Sequence, residues 1–259
     1  LSNGVSAKDM MLAACAKMGM GGGDYQVIEY AGETISGLSM QERLTLCNMA
    51  AELGAQTGII AADQKTADYV TAAGGNPGDI EKWQGDADAA YRAVHEFNAN
   101  TLSPQVAAPH SPANSSGVEN HAGQNVHQAY IGACTGAKLE DLKMAARVLK
   151  GRKVASNVRL LIAPASTRTT AEAAADGTLA TLTAAGAILM PSGCGACAGY
   201  GAGVLSENEV CIASTARNFK GRMGPGNSDV YLASPYTVAA AAVAGHIADP
   251  REFLNGGGA

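Results

Sequence analysis

The 259-residue sequence predicts an α/β fold, a mainly parallel sheet with helices on both faces. Three observations carry this. From Asn125 onward, short apolar runs alternate with segments of helical spacing. Hydrophobic residues make up 47% and aromatics 5%, with 32 glycines, which suits close helix–sheet contact better than a β-sandwich. Ser-x-x-acid boxes open two apolar stretches, and glycine-rich turns close them.

The elements follow in order. Ser6-x-x-Asp9 caps a helix running from Met10 to Met18, and Gly19 to Gly23 ends it. Tyr25 to Tyr30 reads as a strand. Ser39-x-x-Glu42 opens a helix from Met40 to about Leu53, stopped by Gly54. Thr57 to Ala62 reads as a buried strand, Thr66 to Ala73 as a helix and Asp86 to Phe97 as another. Residues 98–125 change character, with Pro104, Pro109, Pro112 and several Ser and Asn. The domain boundary falls there, giving a first unit over 1–105, a linker over 106–125 and a second unit over 126–259. In the second unit, His127 to Gly132 is a strand. Leu139, Leu142, Ala146 and Leu149 recur at helical spacing before Gly151. Val158 to Ala163 is a strand and Thr169 to Ala185 a helix. Strands follow at Ala187 to Met190, Val210 to Ala213 and Asp229 to Ala233, and Pro235 begins a helix. The glycine tail after Asn255 reads as flexible.

Size and charge bound the function. The chain is long enough for a sizeable core. A net charge of −5 with 16% charged residues argues against an electrostatic nucleic-acid binder. No apolar run is long enough to span a bilayer, and no secretory signal is visible. The chain starts with Leu1, which suggests a fragment or a processed piece. Six cysteines in this pattern suit a reducing, cytoplasmic compartment rather than a disulfide framework.

Three cysteines stand out. Cys134, in Ile131-Gly-Ala-Cys-Thr-Gly136, lies between a strand and a helix start, where the helix dipole favours a thiolate. Cys194 and Cys197 form Cys-Gly-Ala-Cys after the Ala187 strand. All three sit at carboxyl ends of expected parallel strands, the edge where open α/β sheets bind ligands. Three thiolates can bind three irons of a cubane and leave the fourth open as a Lewis acid. The same residues also admit inert or redox-active cysteines, or zinc with a fourth ligand from His127, His121 or His110. Cys15, Cys47 and Cys211 lie on apolar elements and read as core residues. Arg217 and Arg222, in Arg-Asn-Phe-Lys-Gly-Arg, suit a grip on carboxylates, or else are solvated charges. Asn48 and Glu52, four apart on one helix, share a face that is either solvated or part of a site.

These stretches resemble the aconitase superfamily. Ile131–Gly136, Cys194-Gly-Ala-Cys-Ala-Gly199 and Arg217–Arg222 are similar to its three signature stretches. Leu46-Cys-Asn-Met-Ala-Ala-Glu-Leu-Gly-Ala55 resembles its helix motif, and Val5–Asp9 and Val27–Tyr30 resemble the start of its second domain. The branch resembled is that of the 3-isopropylmalate dehydratase large subunits, with homoaconitase and dimethylmalate-dehydratase-like relatives. The resemblance covers nearly the whole chain in order. It implies three-layer αβα domains, with 1–105 as the second domain and 126–259 as a third domain carrying the cluster cysteines.

The resemblance further implies that Cys134, Cys194 and Cys197 hold a 4Fe–4S cluster. Arg217 and Arg222 would bind substrate carboxylate or steady the site, Asn48 would lie against the cluster, and Glu52 would lie near the open iron. The implied activity is a hydro-lyase acting on a hydroxy di- or tricarboxylic acid, by dehydration, hydration or isomerisation. The sequence departs from the family at Ala216, Gly136 and His127, where the family has Asn, Asn and Asp. The family's first domain, with its Asp-Ser-His-Thr motif, and its swivelling domain are not found. The expectation is a site incomplete without a first domain and a small swivelling partner subunit. Two rivals differ in kind: an RNA-binding regulator formed when the cluster is lost, and a zinc or thiol-redox module.

Overall fold

A computed structural model describes residues 1–254, so the expected glycine tail lies outside the described residues. In the first half, α1 (Ala7–Met18) is followed by β1 (Val27–Glu29), α2 (Glu33–Gly37), α3 (Met40–Met49), β2 (Thr57–Ile59) and α4 (Gln64–Ala72). Next come β3 (Gln105–Ala107), β4 (Ser115–Gly117), β5 (Gln128–Gly132), α5 (Ala133–Gly136) and α6 (Leu139–Leu149). The chain continues with β6 (Arg159–Ala163), α7 (Thr167–Ala175), α8 (Thr178–Ala185), β7 (Ile188–Leu189), β8 (Val210–Ala213) and β9 (Asp229–Ala233), and closes with α9 (Pro235–Ala244) and α10 (Arg251–Leu254).

Seven strands form the main sheet in the order β4-β3-β9-β8-β5-β6-β7, while β1 and β2 pair in parallel by themselves. Strands β9, β8, β5, β6 and β7 are mutually parallel, and β3 and β4 close one edge antiparallel. The core has two parts, one on each face of this sheet. Leu142, Leu149 and Leu182 with the alanines of α9 pack on Val106, Ile131 and Ile162. On the other face, Met11, Leu12, Leu46 and Met49 pack on Tyr130, Leu161, Ala213 and Leu232. The result is the expected three-layer α/β arrangement. Helices α1 and α3, from the first half of the chain, form the second outer layer.

Several local expectations change. Residues 106–125 are not a featureless linker, because Val106 and Ala107 are buried in the sheet between β4 and β9. The apolar Val-Ala-Ala run there is enough for a short strand despite the prolines around it. Residues 86–97 are not helical. They form a strap held by tertiary contacts: Tyr91 Oη donates to Glu29 Oε2 at 2.8 Å, and Lys17 Nζ donates to the Glu96 carbonyl at 3.0 Å and covers the Phe97 ring. The helix expected over 169–185 splits at Gly177, whose φ of +83° is left-handed. The strand expected over 25–30 shortens to β1, since Tyr25 turns at φ +55°. β2 is half exposed rather than buried. Helix α4 starts at Gln64 because Asp63, whose side chain accepts from Thr66 N, caps it.

Candidate active site

The order β8-β5-β6-β7 sets the site. The chain moves from β5 outward through β6 to β7, then returns to lay β8 on the other side of β5. Loops leaving the carboxyl ends of β5 and β8 therefore diverge, which opens a crevice between them. Cys134 follows β5, and Arg217 follows β8. Cys194 and Cys197 follow β7, on the same edge.

Cys134 sits in the single turn α5 and is exposed. That turn stops at Gly136, so Cys134 lies at the start of one helical turn rather than at the start of the longer α6. Ala133 adopts φ +65°, a left-handed conformation costly for a residue with a Cβ. The turn is pinned from below. Lys138 Nζ donates to the Thr135 carbonyl at 3.0 Å, to Thr45 Oγ1 at 2.8 Å and to Asp141 at 2.7 Å. Ser214, at the end of β8, ties the two crevice walls: its Oγ accepts from Gly132 N at 3.1 Å and donates to the Gly136 carbonyl at 2.9 Å. A Cβ on Gly136 would meet the Ser214 carbonyl at 2.2 Å. Glycine there is thus a packing requirement of this chain.

Cys197 is buried and Cys194 exposed, on the short turn Gly195–Ala198. Tyr130 Oη, rising from β5, donates to the Cys194 carbonyl at 3.1 Å. Burial pushes the Cys197 thiol up, and the Arg222 guanidinium beside it draws it down; Cys194 and Cys134 both lie within electrostatic reach. The three thiols therefore share one neighbourhood. Gly199, at φ +81°, lets the Arg222 carbonyl approach to where a Cβ would stand 2.6 Å away, locking the cysteine loop to the arginine loop.

Asn48 and Glu52 do not share one α-helical face. Helix α3 ends at Met49, and Glu52 lies on the 3-10 turn Ala50–Leu53. Asn48 is exposed, and its Nδ2 points to Cys134 Sγ at 3.7 Å, while Thr135 Oγ1 donates to its Oδ1 at 3.4 Å. Glu52 is 1% exposed and accepts from Arg217 Nε through Oε1. Its Oε2, Thr215 Oγ1 and Arg222 Nε are buried with no hydrogen-bond partner. Orphans like these are expensive in a finished core and usual where a ligand is to bind. Lys8, missed in the sequence, lies here too, fully buried, its Nζ donating to the Thr215 carbonyl at 2.5 Å.

The remaining sequence candidates fall elsewhere. His127 Nδ1 accepts from Val210 N at 2.9 Å, His121 Nε2 lies 2.9 Å from Ser116 Oγ, and His110 faces Asp229 at 3.6 Å. The Asp-to-His departure at 127 therefore joins β5 to β8. Among the described residues, no three His, Cys, Asp or Glu side chains are grouped so as to hold a single metal ion. Cys15 and Cys211 are core residues, their thiols pushed up to about 12 by burial, and Cys47 is half-buried. A groove of about 1320 Å³ runs between α1, β1 and the 91–102 strap, and none of the cysteine or arginine candidates lines it.

The model of the aconitase family (aconitate hydratase) matches residues 1–125 and 114–245. The chain belongs to the aconitase family. Similar family members include 3-isopropylmalate dehydratase large subunit 2 of Archaeoglobus fulgidus, 43% identical over 98% of this chain and 61% of that protein. Large subunit 1 of Methanopyrus kandleri is 45% identical over 98% of this chain and 60% of its own length. A probable methanogen homoaconitase large subunit of Methanosarcina mazei is 46% identical over 98% and 63%. The chain thus spans about 60% of the length of these aconitase-family relatives.

Proposed function

We propose that this chain is the cluster-bearing part of a hydro-lyase that dehydrates, hydrates or isomerises a hydroxy di- or tricarboxylic acid. What supports it is that Cys134 and Arg217 leave the two diverging strands, Cys194 and Cys197 lie on the same sheet edge with Arg222 beside Cys197, and Glu52 pairs with Arg217. Relatives named as dehydratases and homoaconitase support the reaction class.

The donor set fits a 4Fe–4S cluster held by Cys134, Cys194 and Cys197. Two of these thiols are exposed to the crevice, and buried polar atoms beside them await partners. A cubane takes one thiolate per iron, so its ligands need not crowd around one ion. When bound, such a cluster supplies a Lewis-acidic iron to the leaving hydroxyl. The chain's own residues do the rest. Asn48 orients the Cys134 sulfur by a weak N–H donation. Arg217 spends only Nε on Glu52, so the rest of its fork remains for a substrate carboxylate. Arg222 holds its charge beside Cys197 and the same opening. Glu52 Oε2 is the acceptor poised to hold the departing hydroxyl or water. The base for the adjacent C–H proton is assigned to a small swivelling partner subunit; that such a partner exists is supported by the large-subunit names of the relatives. Residues 1–105 and 126–259 are assigned to the family's second and third domains, joined by 106–125. The compartment proposed is the cytoplasm; among the described residues no helix is long and apolar enough to cross a membrane.

Anaerobic reconstitution with iron and sulfide is the direct test. The wild type should acquire the broad charge-transfer absorption of a cubane and about four irons per chain. Cys134→Ser, Cys194→Ser and Cys197→Ser should each abolish it. A triple serine variant that still binds iron and sulfide like the wild type would refute the assignment.

A further inference from the structure

Glu52 poses a charge problem. It is 1% exposed, its Oε1 is taken by Arg217, and its Oε2 has no partner. The side chain of Arg217 is 40% exposed, so it is the mobile half of the pair. If Arg217 turns to a substrate carboxylate, Glu52 is left as a bare buried anion, a strongly unfavourable state.

A second cation lies below. Lys8 stands in the first turn of α1, set by the Ser6–Asp9 capping box. It is 3% exposed and makes one hydrogen bond, to the Thr215 carbonyl, which leaves two N–H groups uncommitted. The charged groups that face it are Glu52, Cys15, Cys197 and Asp9, with Glu52 the strongest. Asp9 is already occupied by Ser6 and by Gln105 N at 2.8 Å. Among the described residues, no carboxylate pairs directly with Lys8.

We propose that Lys8 is a positioning residue that shares Glu52 with Arg217, keeping the buried carboxylate neutralised when Arg217 engages a substrate carboxylate. The proposal rests on the functional reading above. Lys8 neutralises the Glu52 carboxylate as its strongest charged neighbour, without taking its free Oε2, while its bond to the Thr215 carbonyl holds the arginine loop in place. Burial lowers the Lys8 pKa to about 8, and the Glu52 carboxylate pulls it back up. Lys8 does not touch the substrate; it sets how readily Arg217 can leave.

The test uses the cluster-loaded protein with its natural partners, and succinate, a dicarboxylate with no hydroxyl to eliminate. Isothermal titration calorimetry should show Lys8→Met weakening succinate binding at least about tenfold. Lys8→Arg should restore most of it. Glu52→Gln in the Lys8→Met background should also recover affinity, because the stranded anion is gone; a purely structural loss would not recover. Lys8→Met binding succinate like the wild type overturns the proposal. Should Lys8→Met fail to fold, Arg217→Gln decides. With Lys8 taking over Glu52, Arg217→Gln should unfold in urea no earlier than Glu52→Gln/Arg217→Gln. A double variant clearly more stable than Arg217→Gln overturns the sharing. A wild type that takes up no iron and sulfide overturns the functional reading and this proposal together, whereas failure of the Lys8 effect alone leaves that reading standing.

Discussion

At the scale of single residues, the candidate site is built from strained and under-partnered groups. Ala133 holds a left-handed φ immediately before Cys134. Strain of this kind costs on the order of 1 kcal/mol and persists only where neighbours enforce it. Ala133→Gly should therefore raise stability in urea unfolding by about 0.5–1 kcal/mol. An unchanged or lower stability would show that no strain is stored there. Most of the site is legible from the sequence at this scale, because Cys134, Cys194, Cys197, Arg217 and Arg222 all follow apolar strands. Lys8 is not. A lysine in the first turn of a capped helix reads as a solvated side chain, and only the packing of α1 on the sheet buries it. Ser214 is equally silent, since its role depends on the crevice having a second wall.

At the scale of elements, the strands and helices after residue 126 follow the apolar pattern closely. Helices on both faces make each strand a continuous hydrophobic run, which is an unambiguous signal. The strap over 86–97 gives no such signal. Its conformation comes from Glu29, Asp24 and Lys17, which lie far away in sequence. Helices α3 and α4 are joined by a two-pronged pair, Arg43 to Asp63 at 2.8 and 2.6 Å. The Arg43 hydrogen bonds hold the Asp63 carboxyl at about 2, below its ordinary 3.8. The sign follows: the folded form binds this proton less readily than the unfolded chain. The pair's contribution is full above about pH 4 and fades as pH falls toward about 2. Asp63 is 39% exposed, so solvent screening keeps the effect below about 1 kcal/mol. Urea midpoints measured down that pH range should fall for the wild type and fall less for Asp63→Asn.

At the scale of the whole molecule, the two halves of the chain share one sheet and therefore one cooperative structure. Tyr130, Leu161, Cys211 and Leu232 meet Met11, Leu12, Leu46 and Met49 across the second face. A chain cut to residues 126–254 would bare that face. It should bind a hydrophobic dye and lack a cooperative melt, and co-expression with residues 1–125 should restore both properties. A cut chain that melts sharply alone would mean that the second layer is dispensable.

The placement of β3 has a consequence in time. Val106 pairs with Ala233 and Ala107 with Leu232, so the β3–β4 hairpin joins the sheet only when the last strand exists. Closing so long a stretch is entropically slow. During synthesis the apolar side of α1 would leave the ribosome well before the surface that covers it. That helix would stay uncovered until β9 emerges.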